Sequence, residues 1–163
     1  MKIIFLDIDG VLNSTKTPNP RKLPYVADPI LVDRYVRLIE RTGAISVLTS
    51  SWRIDPIGQF AARYWRIPFS DTVPDMPADS RDKEIKTWLA RHAPDARFAV
   101  LDDEDDDLGE FALFQPSSSE GLTDDIARGI EAYLEGRTDR DMRKNLVART
   151  YENVLDMFKR RRT

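Results

Sequence analysis

The chain has 163 residues, of which 41% are hydrophobic and 33% charged, with a net charge of −3 at neutral pH. That length can bury one substantial core, and that balance excludes wholesale disorder. Cysteine is absent and His92 is the sole histidine, so disulfides, thiolate metal sites, cysteine nucleophiles and multi-histidine zinc sites are excluded, and the chemistry falls to oxygen groups and basic side chains.

The apolar run that opens the chain, Met1 to Leu6, is too short for a signal peptide or a membrane span, and a cytoplasmic protein without membrane association is expected. Lys2 to Leu6 is a β-branched-rich run that ends in carboxylates, as expected of a strand buried on both faces of a parallel sheet. Ser14 to Asp28, with prolines at 18, 20 and 24, is expected to be a loop, either a small lid over a site or a plain surface connection. A helix follows from about Pro29 to Arg41 on an apolar stripe of Ile30, Leu31, Val32, Tyr35, Leu38 and Ile39. Gly43 then breaks the pattern before a second strand, Ala44 to Leu48. Ser70 to Ser80 is expected to be another loop. A helix from roughly Asp82 to Arg91 leads to a third strand, Arg97 to Leu101, with His92 closing the helix. A fourth strand, Phe111 to Phe114, and a helix near Thr123 to Leu134 complete the alternation.

Strands alternating with helices predict an α/β fold, a Rossmann-like three-layer sandwich with a mainly parallel sheet, whose site lies beyond the carboxyl ends of the strands. Three polar groups fall at such ends: Asp7 with Asp9, Thr49 with Ser50, and Asp102 with Asp103. If their strands are neighbours, the groups converge. A carboxylate that attacks a phosphoryl group needs a cation, because carboxylate and phosphate repel each other. Gly10 permits the chain to turn, so that Asp7 can face the phosphorus while Asp9 faces the leaving oxygen. Magnesium favours oxygen ligands, and Asp7, the backbone carbonyl of Asp9 and an aspartate of the 102/103 pair form a plausible set. Asp-x-Asp at a strand end is equally compatible with a solvated turn.

Phe5-Leu6-Asp7-Ile8-Asp9-Gly10-Val11-Leu12-Asn13 closely resembles the first motif of the haloacid dehalogenase-like (HAD) hydrolase superfamily. Thr49 is similar to the second motif, whose hydroxyl and neighbouring amides hold phosphoryl oxygens. Lys83, at the start of a helix, is similar to the third, which brings a cation to the nucleophile; Arg81 and Lys86 compete for this role. Asp102-Asp103 is similar to the fourth, acidic motif. Together with Thr-Ser-Ser-Trp-Arg at 49–53 and Gly121-Leu122-Thr123, the set particularly resembles a compact subgroup associated with RNA-repair-type proteins. The resemblance implies a Mg2+-dependent phosphatase that works through an aspartyl-phosphate, with Asp7, Asp9, Thr49 and Lys83 catalytic. It also implies that Gly10, Ser50 and Arg53 bind substrate and that Asp7, Asp9, Asp102 and Asp103 serve the metal. An aspartate at position 9 points within that superfamily to hydrolysis of phosphate esters. Trp52 and Arg53, just after the second motif, could stack on or pair with substrate, as aromatic and guanidinium groups do with bases and phosphates; alternatively Trp52 packs in the core and Arg53 lies on the surface.

Residues 137–163 carry nine Lys/Arg and four acids, a balance of +5 that leaves −8 for residues 1–136. With Met142, Leu146, Tyr151, Val154, Leu155 and Phe158 near helical spacing, a basic amphipathic helix is expected there, appended to a phosphohydrolase domain of residues 1–136. Such a helix could bind nucleic acid, a partner or the acidic body itself. A phosphorylated substrate is expected, polynucleotide ends among the options. A small-metabolite or nucleotide phosphatase and a non-catalytic phosphate-binding scaffold are the alternatives.

Overall fold

The computed structural model describes residues 1–137. The amphipathic helix expected for 137–163 therefore lies, beyond Arg137, outside the described residues. Within them the strands are β1 (Lys2–Leu6), β2 (Ile45–Leu48), β3 (Asp71–Thr72), β4 (Arg97–Leu101) and β5 (Leu113–Phe114), and the helices are α1 (Pro29–Thr42), α2 (Pro56–Tyr64), α3 (Arg81–His92) and α4 (Asp124–Leu134). The strands form one sheet in the order β3-β2-β1-β4-β5, and every ladder is parallel. This is the expected Rossmann-like α/β sandwich, with β1 at its centre.

Alternation along β1 divides the core in two. Ile4 and Leu6 face a cluster with Tyr35 and Leu38 of α1, Ala62 of α2 and Ile130 of α4. Ile3 and Phe5 face Ile85, Trp88 and Leu89 of α3 on the opposite side. Three helices thus cover one face and α3 covers the other. Local chemistry sets the helix starts. Asp28, Asp55 and Thr123 each accept a bond from an amide of the first turn, and prolines at 29 and 56 occupy a position where no amide is needed.

Two expectations are corrected here. Residues 70–80 are not wholly loop, because β3 occupies Asp71–Thr72, two residues too few for any periodic signal. The last strand is Leu113–Phe114 rather than Phe111–Phe114. The helix α2 lacked an inward apolar stripe and was not expected; its buried residues are Gly58 and Ala62. Residues 14–28 contain no helix or strand, so the connection from β1 to α1 is a loop rather than an inserted cap. Among the described residues no helix is long and apolar enough to cross a membrane.

Candidate active site

Register brings the polar groups together. Leu6 of β1 lies opposite Leu48 of β2 and Leu101 of β4, so the residues that follow, Asp7, Thr49 and Asp102, stand in one rank at the carboxyl edge of the sheet. The Asp7 amide donates to Leu101 O (2.9 Å) and the Thr49 amide to Leu6 O (2.8 Å), which extends the ladders one residue into the site. The cleft above has a volume of about 420 Å3, and among the described residues no apolar side chain lines it. Asp7, Asp9, Arg81, Asp102 and Asp103 form one wall; Ser14, Thr15 and Ser118 lie on the rim.

Asp7, Asp102 and Asp103 each offer a carboxylate oxygen within 4.8 Å of the others. Asp102 is fully buried and Asp7 is 6% exposed. Burial, reinforced by the charge of Asp102, pushes the Asp7 carboxyl up to about 7, although Arg81 opposes the shift. Burial also raises Asp102 and Asp103 above the usual carboxylate range. Three carboxylates against one guanidinium leave negative charge uncompensated, and an all-oxygen donor set of this kind suits a hard divalent cation. Gly10 makes the crowding possible. It sits at φ +70°, and a Cβ there would lie 2.0 Å from Asp103 Oδ2. The residues present therefore fit magnesium.

The cation beside Asp7 is Arg81. Its Nη1 donates to Asp102 and lies 3.5 Å from Asp7 Oδ1, and its Nε is 3.4 Å from Asp106. Lys83, expected in this role, is instead exposed and pairs with Asp79 across the surface at 2.7 Å. Two residues along a helix is a rotation of more than half a turn, so Arg81 and Lys83 point to opposite sides and only one can reach the cleft.

Asp9 is not in the carboxylate cluster. Trp52 Nε1 donates to its Oδ2 (2.9 Å) and Asn13 Nδ2 to its Oδ1 (2.8 Å). Asn13 also accepts from the Gly10 amide (2.8 Å) and donates to Val26 O, which ties the turn after β1 to the far leg of the loop. Trp52 is buried against Tyr25, with ring centroids 5.2 Å apart, and Tyr25 donates to Asp55, the cap of α2. Asp9 is thus oriented by N–H donors, while Asp7 is crowded by like charges. From sequence Trp52 reads as a substrate-stacking or a packing residue and Asn13 only as the end of the first motif; neither reading includes the bonds to Asp9.

Arg53, expected to bind substrate, is a brace. Buried at 8% exposure, it forms a bidentate pair with Glu84 of α3 (2.6 and 2.7 Å) and donates to the carbonyls of Thr49, Ser50 and Val73. All its donors are engaged in holding the β2–α2 turn to α3. Ser50 is buried and caps that turn, and its neighbour Ser51 reaches the cleft. Thr49 Oγ1 is buried without a hydrogen-bond partner among the described residues, a costly state for a hydroxyl at a strand end in the same rank as Asp7.

The family described as the HAD domain in Swiss Army Knife RNA repair proteins matches residues 3–127, which include every residue of this cleft. No curated protein matches the chain.

Proposed function

We propose that this chain, which belongs to the family of HAD domains in Swiss Army Knife RNA repair proteins, is a phosphomonoester hydrolase that works through an aspartyl-phosphate on Asp7. The observation that carries this reading is the pairing of two aspartates in unlike surroundings: one buried beside Asp102, Asp103 and Arg81, the other clamped by Trp52 and Asn13.

In this reading an Asp7 oxygen forms a bond to the phosphorus as the bond from phosphorus to the leaving oxygen breaks. Asp9 gives that oxygen its proton, and the alcohol departs. Asp9 then removes a proton from water, which attacks the aspartyl-phosphate; the P–O bond to Asp7 breaks and inorganic phosphate leaves. Arg81 offsets charge on the transferring group. A phosphoryl oxygen near Asp7 would give the Thr49 hydroxyl the acceptor it lacks, and Ser51 stands at the cleft surface for a second contact. Magnesium, held by Asp7, Asp102 and Asp103, would neutralise the phosphate and lower the repulsion between it and the nucleophile.

Hydroxyls and carboxylates at the rim suit a polar, sugar-like leaving group, and the RNA-repair context of the family favours a phosphorylated polynucleotide end over a small metabolite. The phosphohydrolase unit is assigned to residues 1–136. The test is phosphate release from an aryl phosphate and from 3′- and 5′-phosphorylated RNA, with and without magnesium. Mass spectrometry of the Asp9→Asn variant should find phosphate on Asp7. An active Asp7→Asn variant would overturn the assignment.

A further inference from the structure

Charge is distributed unevenly around the cleft. Residues 14–27 carry Lys16, Arg21 and Lys22 and no acid, and residues 56–68 carry Arg63 and Arg66 and no acid. These two stretches together are +5, inside a body of −8, so the rest of residues 1–136 totals −13. They are also neighbours in space. Tyr25, at the end of the first stretch, donates to Asp55, the cap of α2 (2.5 Å), and Trp65, just past α2, donates to Tyr25 O (3.0 Å). All five basic residues are exposed, and none pairs with a carboxylate among the described residues, whereas Arg34, Arg37, Arg41, Lys83 and Lys86 all do.

The same surface carries aromatic rings. The outward face of α2 presents Phe60 (68% exposed) and Tyr64 (72% exposed), stacked on one another at 6.5 Å and 24°, with Ile57 on the same side. A helix that buries glycine and alanine and exposes phenylalanine and tyrosine has its amphipathicity reversed, which marks a surface meant to be covered. The carboxylate run Asp103 to Asp107 leads from the cleft to α3, which covers the face of the sheet opposite α2. A polyanion that leaves the cleft is therefore repelled on one side and attracted on the other. The attractive side begins at the cleft itself, since Thr15 lines it and Lys16 follows.

We propose that residues 14–27 and the outer face of α2 form the path of a single-stranded polynucleotide whose phosphorylated end occupies the cleft. Lys16, Arg21, Lys22, Arg63 and Arg66 neutralise its backbone, and Phe60 and Tyr64 stack its bases. The combination of unpaired cations with exposed rings is what a single strand requires and what a purely apolar protein partner does not. The surface rests on the hydrolase reading only for which end of the strand enters the cleft.

The test is fluorescence anisotropy of a labelled single-stranded RNA dodecamer bearing a 3′-phosphate. It uses the full chain carrying Asp7→Asn, so that the RNA is not consumed and residues 138–163 are present throughout. Phe60→Ala with Tyr64→Ala should weaken binding about tenfold or more. Arg63→Ala with Arg66→Ala should lower the slope of log affinity against log salt by about 1.4. Phe60→Trp should restore affinity, and melting temperatures report whether each variant folds. Affinity and salt slope unchanged in both double variants would overturn the path. So would sedimentation in which the wild type self-associates through Phe60 and Tyr64 while RNA binding survives their loss. Because binding is read without turnover, failure to hydrolyse an aryl phosphate counts against the hydrolase reading alone.

Discussion

The two aspartates of the first loop stand two residues apart in regions built on opposite principles. Asp7 lies in a pocket of like charges, where burial and Asp102 push it up to about 7. Asp9 lies in a pocket of N–H donors, with Trp52 and Asn13 each holding one oxygen. The first region holds charge that the described residues do not balance, and in the proposed reading a cation and a phosphoryl group complete it. The second fixes a direction, so it is complete as it stands. A site for proton transfer and a site for phosphoryl transfer can thus be adjacent without sharing an environment.

Asp7→Asn tests the first region and should have the largest effect, a loss of turnover of roughly 10³-fold or more in phosphate-release assays. The same substitution should stabilise the metal-free fold. A carboxyl raised from 3.8 to about 7 binds its proton more tightly folded than unfolded, so its penalty is absent below pH 4, grows between pH 4 and 7 and is complete above 7. Metal-free Asp7→Asn should therefore exceed the wild type by roughly 1–3 kcal/mol at pH 8 in chemical denaturation, with the gap closing toward pH 4. For the same reason magnesium affinity, measured by calorimetry, should fall as pH drops below about 7.

Asp9→Asn is nearly isosteric, but it can accept only one of the two N–H bonds and cannot exchange a proton, and turnover should fall roughly 10²- to 10⁴-fold. Arg81→Ala should cost about 10- to 10³-fold, whereas Lys83→Ala, on the surface beside Asp79, should stay within about twofold. Equal losses in these two variants would refute the assignment of the cation. Trp52→Phe removes one donor to Asp9 and leaves the packing, so a loss of about 3- to 30-fold in kcat is expected with KM nearly unchanged. Asp55→Ala should lower stability by about 1 kcal/mol through the lost α2 cap and leave turnover within a few-fold.

Much of this was legible in the residues. Lys2–Leu6 and Arg97–Leu101 are continuous apolar runs that halt at carboxylates, and both strands have the limits expected of them. What failed did so for reasons of reach. Choosing between Arg81 and Lys83 required the helix start to within two residues, and a two-residue error turns a side chain to the far side. Arg53 reads as a phosphate ligand because it follows Thr49-Ser50-Ser51, but its partner Glu84 is 31 positions away and only the fold brings it near. The segment holding α2 gave no expected helix, and its burial explains why: Gly58 and Ala62 face inward while Ile57, Phe60 and Tyr64 face outward.

Gly58 gives that helix a further consequence. A Cβ there would meet Trp52 O at 2.5 Å, so α2 rests directly on the backbone of the residue that orients Asp9. The two sides of α2 therefore differ in how much variation they can absorb. Its outer side can be rewritten to change what the surface grips, while one added methyl on its inner side would displace the indole. In a redesign of this protein, α2 serves as an adjustable handle mounted on a fixed datum, and position 58 is where the two meet.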